Sequence, residues 1–340
     1  MELGIFDAVA SKSGTIDALV ASAAATHDDG FASWWLPQIF GFESLSVHAI
    51  VGREVPELAL GTAVVPTYPR HPVTMAQLAL TAQSAAAGAT GANRLTLGIG
   101  LSHQMVIENM FGLSFDRPAR HMSEYLDVLM PLLETHSVSA HGETISTSVG
   151  LTVPDGIVAP DVVVAALGPA MLRIAGTKTQ GTVTWMTGPA TLESHIVPSI
   201  RAAATEAGRP APRVVAALPV LVTDDESAGR ATVGSVFEIY GFLPSYRAML
   251  DREGVEGPAD VAIVGTEDEV ASKIRALDGI GVTDFVAVEF ATPGSRDAQR
   301  TRELLRSLLL AHRKTNARSP RADRRQAMNE SVSLRASLRM

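Results

Sequence analysis

The chain has 340 residues and a mass of 35.8 kDa, with 46% hydrophobic and 19% charged residues, a balance that excludes a largely disordered protein. It has no cysteine, which excludes disulfides, thiolate metal sites and a cysteine nucleophile. No apolar run reaches the roughly 18 residues of a membrane-spanning helix, and the N-terminus lacks a secretory signal pattern. We therefore expect a cytoplasmic protein with no membrane partner.

Charge is unevenly distributed along the chain. The formal net charge is -8, but residues 313–340 contain eight Arg or Lys residues and two acids, so this tail carries +6 and residues 1–312 carry -14. An acidic body argues against nucleic acid as the main partner. We predict one domain over 1–312 and a basic, disordered tail over 313–340, since the tail has no sustained apolar periodicity. A nucleic-acid or membrane arm is the alternative for the tail.

Short apolar runs alternate with helical patterns over the first 312 residues. The runs predict eight strands, at 3–6, 32–36, 58–65, 94–100, 161–167, 181–186, 213–222 and 283–290. Helical patterns follow at 15–29, from Pro72 to about Gly88, and at 117–134, 169–178, 190–207 and 295–312. Capping boxes at Thr223–Glu226 and Thr266–Glu269 predict two further helix starts.

Two segments interrupt this alternation. Residues 135–160, after the fourth strand and its helix, predict an inserted hairpin or loop, and residues 240–260, after the seventh strand, predict an irregular insertion. Eight βα units predict an α/β fold, a (β/α)8 TIM barrel with these two insertions. An open doubly wound sheet is the alternative, but it usually has five to seven strands. In a barrel, the active site lies at the C-terminal ends of the strands.

Two glycine-containing turns follow predicted strands. Gly98-Ile99-Gly100 invites comparison with a dinucleotide fingerprint, but the third glycine is missing and the strand is the fourth, so close backbone packing is the simpler interpretation. Gly168-Pro169 opens a predicted helix and leaves its first N–H groups without a capping side chain. Such an end can bind an anion, or it can be an ordinary βα turn.

The nine histidines show no HExxH pattern, so we expect no metal site. Neither a GxSxG elbow nor a phosphate-binding P-loop occurs, which excludes a serine hydrolase and a P-loop nucleotide-binding protein. His121 and Glu124, three residues apart on one helix, predict a surface pair. His71 and His103 follow predicted strands, where each could serve catalysis or hydrogen-bond its own loop.

Four segments resemble the bacterial luciferase-like superfamily, and within it the actinobacterial oxidoreductases that use the deazaflavin coenzyme F420. They are LALGTAVVPTYPRHPVTMAQ, RLTLGIGLSHQ, VVVAALGPAMLRIAG and GTVTWMTGP. The resemblance runs from residue 1 to about 312. It implies a barrel with the cofactor ring at the strand C-termini, and a non-prolyl cis peptide at Ala63-Val64 that backs the ring.

The resemblance also assigns further site residues. It places the cofactor phosphate near Gly168, Pro169 and Ala170, and it implies cofactor contacts from the four residues Gly100, Leu101, Ser102 and Leu167, with Thr187 after the sixth strand. His103 stands where relatives place a catalytic acid. Relatives that oxidise sugar phosphates carry an Asp-His pair and a Glu where this chain has Pro37-Gln38 and Ser102-His103, so we do not predict a sugar phosphate substrate.

The resemblance thus implies an oxidoreductase that transfers a hydride between coenzyme F420 and a small organic substrate. We expect it to be a homodimer. Two alternatives remain: an FMN-dependent luciferase-like monooxygenase, and a non-catalytic barrel that binds or stores the cofactor.

Overall fold

The computed structural model describes residues 1–8, 14–88, 91–292 and 295–317, the last seven of these as helical backbone only. Its strands are β1 (Glu2–Phe6), β2 (Ser33–Leu36), β3 (Ala59–Thr62), β4 (Val65–Pro66), β5 (Leu95–Gly100), β6 (Ser137–His141), β7 (Ser146–Gly150), β8 (Asp161–Ala165), β9 (Gly181–Trp185), β10 (Arg213–Val222), β11 (Ile263–Gly265) and β12 (Asp284–Glu289).

Eight parallel strands close into a barrel, as the sequence predicts. Their order is β1-β2-β3-β5-β8-β9-β10-β12, and β12 pairs with β1 to complete the ring, which excludes the open sheet. Buried β-branched runs such as Val162–Val164 suit strands that are covered on both faces. Trp34 and Trp35 of β2 are both fully buried.

An ion-pair network closes the N-terminal end of the barrel, opposite the expected site. The Arg213 guanidinium donates to Asp284 at 2.9 Å, to Asp161 at 3.2 Å and to Thr96 at 3.0 Å, joining the starts of four strands. Both carboxylates raise the pKa of Arg213 against the opposing effect of burial. The Arg213 charge is thus paired at the N-terminal end of the barrel, away from the C-terminal end, where the site is expected.

Helices surround the barrel. They are α1 (Ile16–Asp28), α2 (Ser44–Glu54), α3 (Pro72–Ala87), α4 (Pro118–Glu134), α5 (Pro169–Lys178), α6 (Pro189–Thr191), α7 (Val197–Glu206), α8 (Glu226–Phe237), α9 (Pro244–Glu253), α10 (Pro258–Val261), α11 (Glu267–Gly279) and α12 (Asp297–Ala317). Two π-helical turns lie at Met105–Met110 and Leu192–Ile196. Among the described residues, no helix combines the length and hydropathy that a membrane crossing requires.

The first predicted insertion is an antiparallel hairpin of β6 and β7, which confirms the hairpin interpretation of residues 135–160. Glu124 of α4 holds its turn, accepting hydrogen bonds from the backbone N–H groups of Thr144 at 2.6 Å and Ile145 at 3.1 Å. The predicted surface pair of His121 and Glu124 is wrong, because Glu124 faces the hairpin whereas His121 stacks on Tyr68 with a centroid distance of 4.0 Å.

The second insertion is helical, so the prediction of an irregular segment at 240–260 is wrong. The excursion starts earlier than expected and comprises α8, a short 3-10 turn at Glu238–Gly241, α9 and α10 before it returns through β11. β11 pairs with the last three residues of β10, and α11, which follows β11 in the chain, packs against β11 and β10. Short helices at Pro244 and Pro258 fit proline at a first helical position.

The two predicted capping boxes have different outcomes. At Thr266 the box forms, because Glu269 accepts from both the backbone N–H and the hydroxyl of Thr266. After Thr223 the predicted helix does form, beginning at Glu226, but the predicted box does not: the Thr223 N–H continues the strand pairing by donating to Gly265 O, and Asp225 caps α8 by accepting from Ala228 N at 2.9 Å.

The last helix, α12, continues to Ala317, five residues past the predicted domain boundary at 312. The remainder of the predicted tail, residues 318–340, lies outside the described residues. Its predicted disorder therefore stays a prediction.

Candidate functional site at the C-terminal end of the barrel

A bulge of two residues follows β3 at the C-terminal end of the barrel. The peptide bond between Ala63 and Val64 is cis, at the position that the resemblance implies. The bulge lies between β3 and β4, and both of these strands pair with β5. The Val64 side chain is half-buried and points across β5.

Gly98 and Gly100 of β5 provide the space for this bulge. A Cβ atom on Gly98 would overlap the carbonyl oxygen of Thr62, and one on Gly100 would lie 2.6 Å from Val64 Cγ2 and 3.3 Å from Ala165 Cβ. The glycines are thus needed for close packing between neighbouring strands, which confirms the simpler interpretation of the Gly98-Ile99-Gly100 pattern. Val64, Gly100 and Ala165 form one surface across three strand ends.

Leu101, Ser102 and His103 follow β5 and are all half-buried. Ser102 has a φ of 61°, a left-handed conformation that is uncommon outside glycine and sharply redirects the chain. The His103 ring lies 5.8 Å from the Tyr246 ring, and burial lowers the pKa of His103 below its ordinary value. Burial thus favours the neutral imidazole, in which one ring nitrogen can accept a proton.

The loop after β8 leaves a helix N-terminus open. Gly168 is the N-cap of α5, which no side chain of the described residues caps, and a Cβ on Gly168 would meet no atom of those residues within 4 Å. Pro169 and Ala170 are exposed, and Leu167 is half-buried. His195 holds the loop from behind, with its Nε2 atom 2.8 Å from the carbonyl oxygen of Leu167. The first-turn N–H groups and the positive end of the helix dipole thus face open space.

The helix α6 begins with the same three residues as α5, but a carboxylate of the chain caps its N-terminus. Gly188-Pro189-Ala190 repeats the Gly-Pro-Ala of α5, but the Glu253 carboxylate accepts from Ala190 N at 3.0 Å and from Thr191 N at 2.7 Å. Thr187, the predicted cofactor contact before it, is buried, and its hydroxyl donates to Trp185 O at 3.2 Å. The Thr187 side chain is therefore engaged within its own loop.

Aromatic side chains from the second insertion lie over the strand ends. Tyr240 contacts Trp185 at the end of β9 with a centroid distance of 5.9 Å, and Tyr246 contacts Tyr240 at 4.9 Å and also His103. Phe6 at the end of β1 completes the row with an edge-on contact to Trp185 at 5.8 Å. We call these four side chains, Phe6, Trp185, Tyr240 and Tyr246, the aromatic bank. The sequence analysis did not predict it, although two of the four tyrosines of the chain fall in the segment predicted to be irregular.

His71 is a helix cap: its Nδ1 atom accepts from Val73 N at 3.3 Å at the start of α3, as the loop hydrogen-bonding interpretation expects. Among the described residues, no group of three or more His, Cys, Asp or Glu side chains could hold a metal ion. The site therefore comprises the Val64 surface, His103, the open α5 terminus and the aromatic bank.

Three comparisons with known proteins bear on this site. The sequence profile of the family described as luciferase-like monooxygenase matches residues 1–284. A 5,10-methylenetetrahydromethanopterin reductase of Methanolobus tindarius is 24% identical over 295 residues, covering 78% of this chain and 88% of that protein.

Solved structures share the fold at lower identity. The coenzyme F420 dependent tetrahydromethanopterin reductase from Methanopyrus kandleri superposes with a TM-score of 0.75 at 22% identity, covering 92% of this chain and 99% of that one. The oxygenating constituent of 3,6-diketocamphane monooxygenase from Pseudomonas putida, solved with FMN, gives a TM-score of 0.68 at 18% identity, covering 90% and 96%.

Proposed function

Because this chain belongs to the luciferase-like monooxygenase family, we propose that it is an oxidoreductase that uses coenzyme F420 to exchange a hydride with a small organic substrate. One observation carries the proposal: the open N-terminus of α5 follows β8, the strand next to the Gly100 and Val64 surface. A flat wall and an anion-binding helix end on adjacent strands suit a ligand with a planar ring and a phosphate.

The residues present fit this cofactor class. The helix end at Gly168 has room where a side chain would otherwise stand, and its N–H groups have no capping partner from a side chain. We propose that Gly168, Pro169 and Ala170 bind the phosphate, and that Ala63, Val64 and Gly100 back the ring. Leu101, Ser102 and Leu167 would line the same edge, and Thr187 would contribute through its backbone. When bound, the deazaflavin supplies hydride chemistry.

His103 is the proposed proton carrier of the site. Interconversion of an alcohol and a carbonyl moves one proton at the substrate oxygen in addition to the hydride. The neutral His103 ring can accept that proton during oxidation and return it during reduction. Tyr246 packs against the ring and restricts its orientation.

FMN is the alternative cofactor, favoured by the FMN-bound monooxygenase of similar fold. FMN also joins a planar ring to a phosphate, so the same two surfaces would hold it. A barrel that only binds or stores cofactor would use those surfaces without needing His103.

A fluorescence titration with F420, and separately with FMN, tests the proposal. We expect F420 to bind to the wild type and to Gly168→Ala, because a methyl group at this position meets no atom within 4 Å. Gly168→Asp should bind about 30- to 1000-fold more weakly, a loss of roughly 2–4 kcal/mol, because its carboxylate occupies the N–H donors and repels the phosphate.

Stability provides the control for this titration. Aspartate is a good N-cap, so the melting temperature of Gly168→Asp should not fall. Equal F420 affinity in the wild type and Gly168→Asp would place the phosphate elsewhere. Tight binding of FMN with no binding of F420 would transfer the protein to the monooxygenase alternative.

A further inference from the structure

The loop after β2 encloses an apolar cavity at the C-terminal end of the barrel. The cavity has a volume of about 300 Å³ and is lined by Leu19 of α1 and by every residue of the 36–42 loop except Gln38. All the lining residues are apolar or glycine. A volume of this size lies at the lower end of the range for small-molecule sites. The cavity is therefore large enough for a hydrocarbon group.

Exposed apolar side chains extend from this cavity. Phe40 is 64% exposed and meets Phe111 edge-on at 6.3 Å, and Phe111 belongs to the segment that follows His103. In the barrel, β3 lies between β2 and β5, so this contact joins the loops on either side of the Ala63-Val64 bulge. We call the exposed side chains of these two loops the apolar ridge; they are Ile39, Phe40, Phe42, Met105, Met110, Phe111 and Leu113.

Three polar side chains beside the ridge, Gln38, Glu43 and Glu108, accept hydrogen bonds from their own loops. Gln38 Oε1 accepts from both the backbone N–H and the hydroxyl of Ser44, at 3.0 and 3.1 Å. Glu43 accepts from Ser46 N at 2.7 Å and caps α2, and Glu108 accepts from Gln104 at 2.9 Å. The sequence has no Asp, Glu, Lys or Arg in 36–42 or 101–107. Residues 36–42 and 101–107 thus offer no counter-charge to a charged substrate; the charges of the second loop, at Glu108, Asp116 and Arg117, come further along the chain.

We infer that the cavity and the apolar ridge bind the hydrocarbon part of an uncharged substrate, an alcohol or ketone with an extended apolar chain or ring system. This inference rests on the proposed function, because it assigns a substrate class to the same site. A single soluble chain rarely exposes this many clustered apolar side chains without a binding purpose. Met105, the first ridge residue of the second loop, comes two residues after His103. A substrate whose reactive oxygen is near His103 therefore has an apolar surface beside it.

Binding of an uncharged apolar dye, N-phenyl-1-naphthylamine, tests the site without requiring catalysis. We expect saturable fluorescence enhancement with the wild type. Phe40→Ser and Phe111→Ser should each weaken the dye at least about fivefold, since each removes part of a large apolar contact. Leu310→Ser is the matched control: Leu310 is also an exposed apolar residue, at 61%, but it lies on α12 outside the ridge, and its loss should leave dye binding unchanged.

Turnover of a homologous series extends the test. With F420 supplied, kcat/KM for 2-alkanols or 2-alkanones should rise roughly threefold to fourfold per added methylene up to the capacity of the cavity. Phe40→Ser should flatten this rise. A kcat/KM that does not depend on chain length, or an equal preference for short charged substrates, would overturn the inference.

Two further outcomes separate the possible failures. Loss of F420 binding with ridge-dependent dye binding retained would refute the proposed function and leave the apolar site in place. If Phe40→Ser converts a dimer to a monomer in analytical ultracentrifugation while dye binding is unchanged, the ridge is an interface between copies, and the substrate inference is wrong. The same measurement tests the predicted homodimer.

Discussion

Gly100→Ala tests whether the wall of the proposed cofactor site depends on the absence of one side chain. The new Cβ would lie 2.6 Å from Val64 Cγ2 and 3.3 Å from Ala165 Cβ, whereas Val64 Cβ would be 3.7 Å away. The distance of 2.6 Å to Val64 Cγ2 is far shorter than van der Waals contact, whereas 3.7 Å to Val64 Cβ is an ordinary contact distance. The strain therefore comes mainly from one methyl group of Val64, which must move away from β5.

The expected cost follows from this geometry. Overpacking a well-packed position by one methyl group costs about 1–3 kcal/mol, which for a domain of this size lowers the melting temperature by roughly 1.5–5 °C. Displacement of Val64 also alters the surface that would back the cofactor ring, so we expect F420 affinity to fall by about tenfold. Gly168→Ala, which adds a methyl group into open space, should change neither quantity.

Removing the methyl groups of Val64 should rescue the variant. Val64→Ala alone should cost about 1 kcal/mol of unfolding free energy, because Val64 is only half-buried. In the double variant the Val64 methyl group that clashes is absent. The loss of unfolding free energy should therefore be about 1–2 kcal/mol smaller than the sum of the losses in the two single variants. Urea unfolding of the four proteins measures this coupling. Additivity within about 0.5 kcal/mol would refute the argument that Gly100 is required by Val64.

Three further predictions follow from the site and the barrel. The acidic limb of the pH–kcat profile for alcohol oxidation should lie below pH 6.5, because burial lowers the pKa of His103 and oxidation needs the neutral form of this side chain. His103→Gln should lower kcat about 100-fold while F420 affinity is retained. An unchanged kcat would exclude the proton-carrier role. Glu253→Gln should lower the unfolding free energy by about 1 kcal/mol, measured in urea, because a charged cap of the second Gly-Pro helix start becomes neutral; a stabilised variant would contradict this. Arg213→Met should lower the unfolding free energy, measured in urea, by about 2–4 kcal/mol by leaving Asp161 and Asp284 without their shared partner; a variant as stable as the wild type would contradict this.

The sequence by itself determined the barrel. Buried β-branched runs and amphipathic helices are local signals, and eight repeats of them leave few architectures that bury every apolar face. The turn-rich stretch at 135–160 also specified its hairpin locally, and so did Thr266 and Glu269, whose capping box closes within one helical turn. Each of these features depends on residues close together in the chain.

Tertiary structure decided the features that join distant segments. The Thr223–Glu226 box does not form because β11, some forty residues later, pairs with the end of β10 and engages the Thr223 backbone. The aromatic bank depends on how the 3-10 turn at Glu238–Gly241 brings Tyr240 onto Trp185 of β9 and how α9 brings Tyr246 onto His103, which no local pattern encodes.

The two Gly-Pro-Ala helix starts show the same limit most directly. Both begin with Gly-Pro-Ala, so this tripeptide by itself does not tell which of the two helix starts is available to an anion. In the folded chain, Glu253 reaches the start at Gly188 and satisfies its N–H groups, while no side chain caps the start at Gly168. A helix end offers the same donors wherever it occurs, and only the packing of the rest of the chain decides whether the protein's own carboxylate or a ligand can reach them.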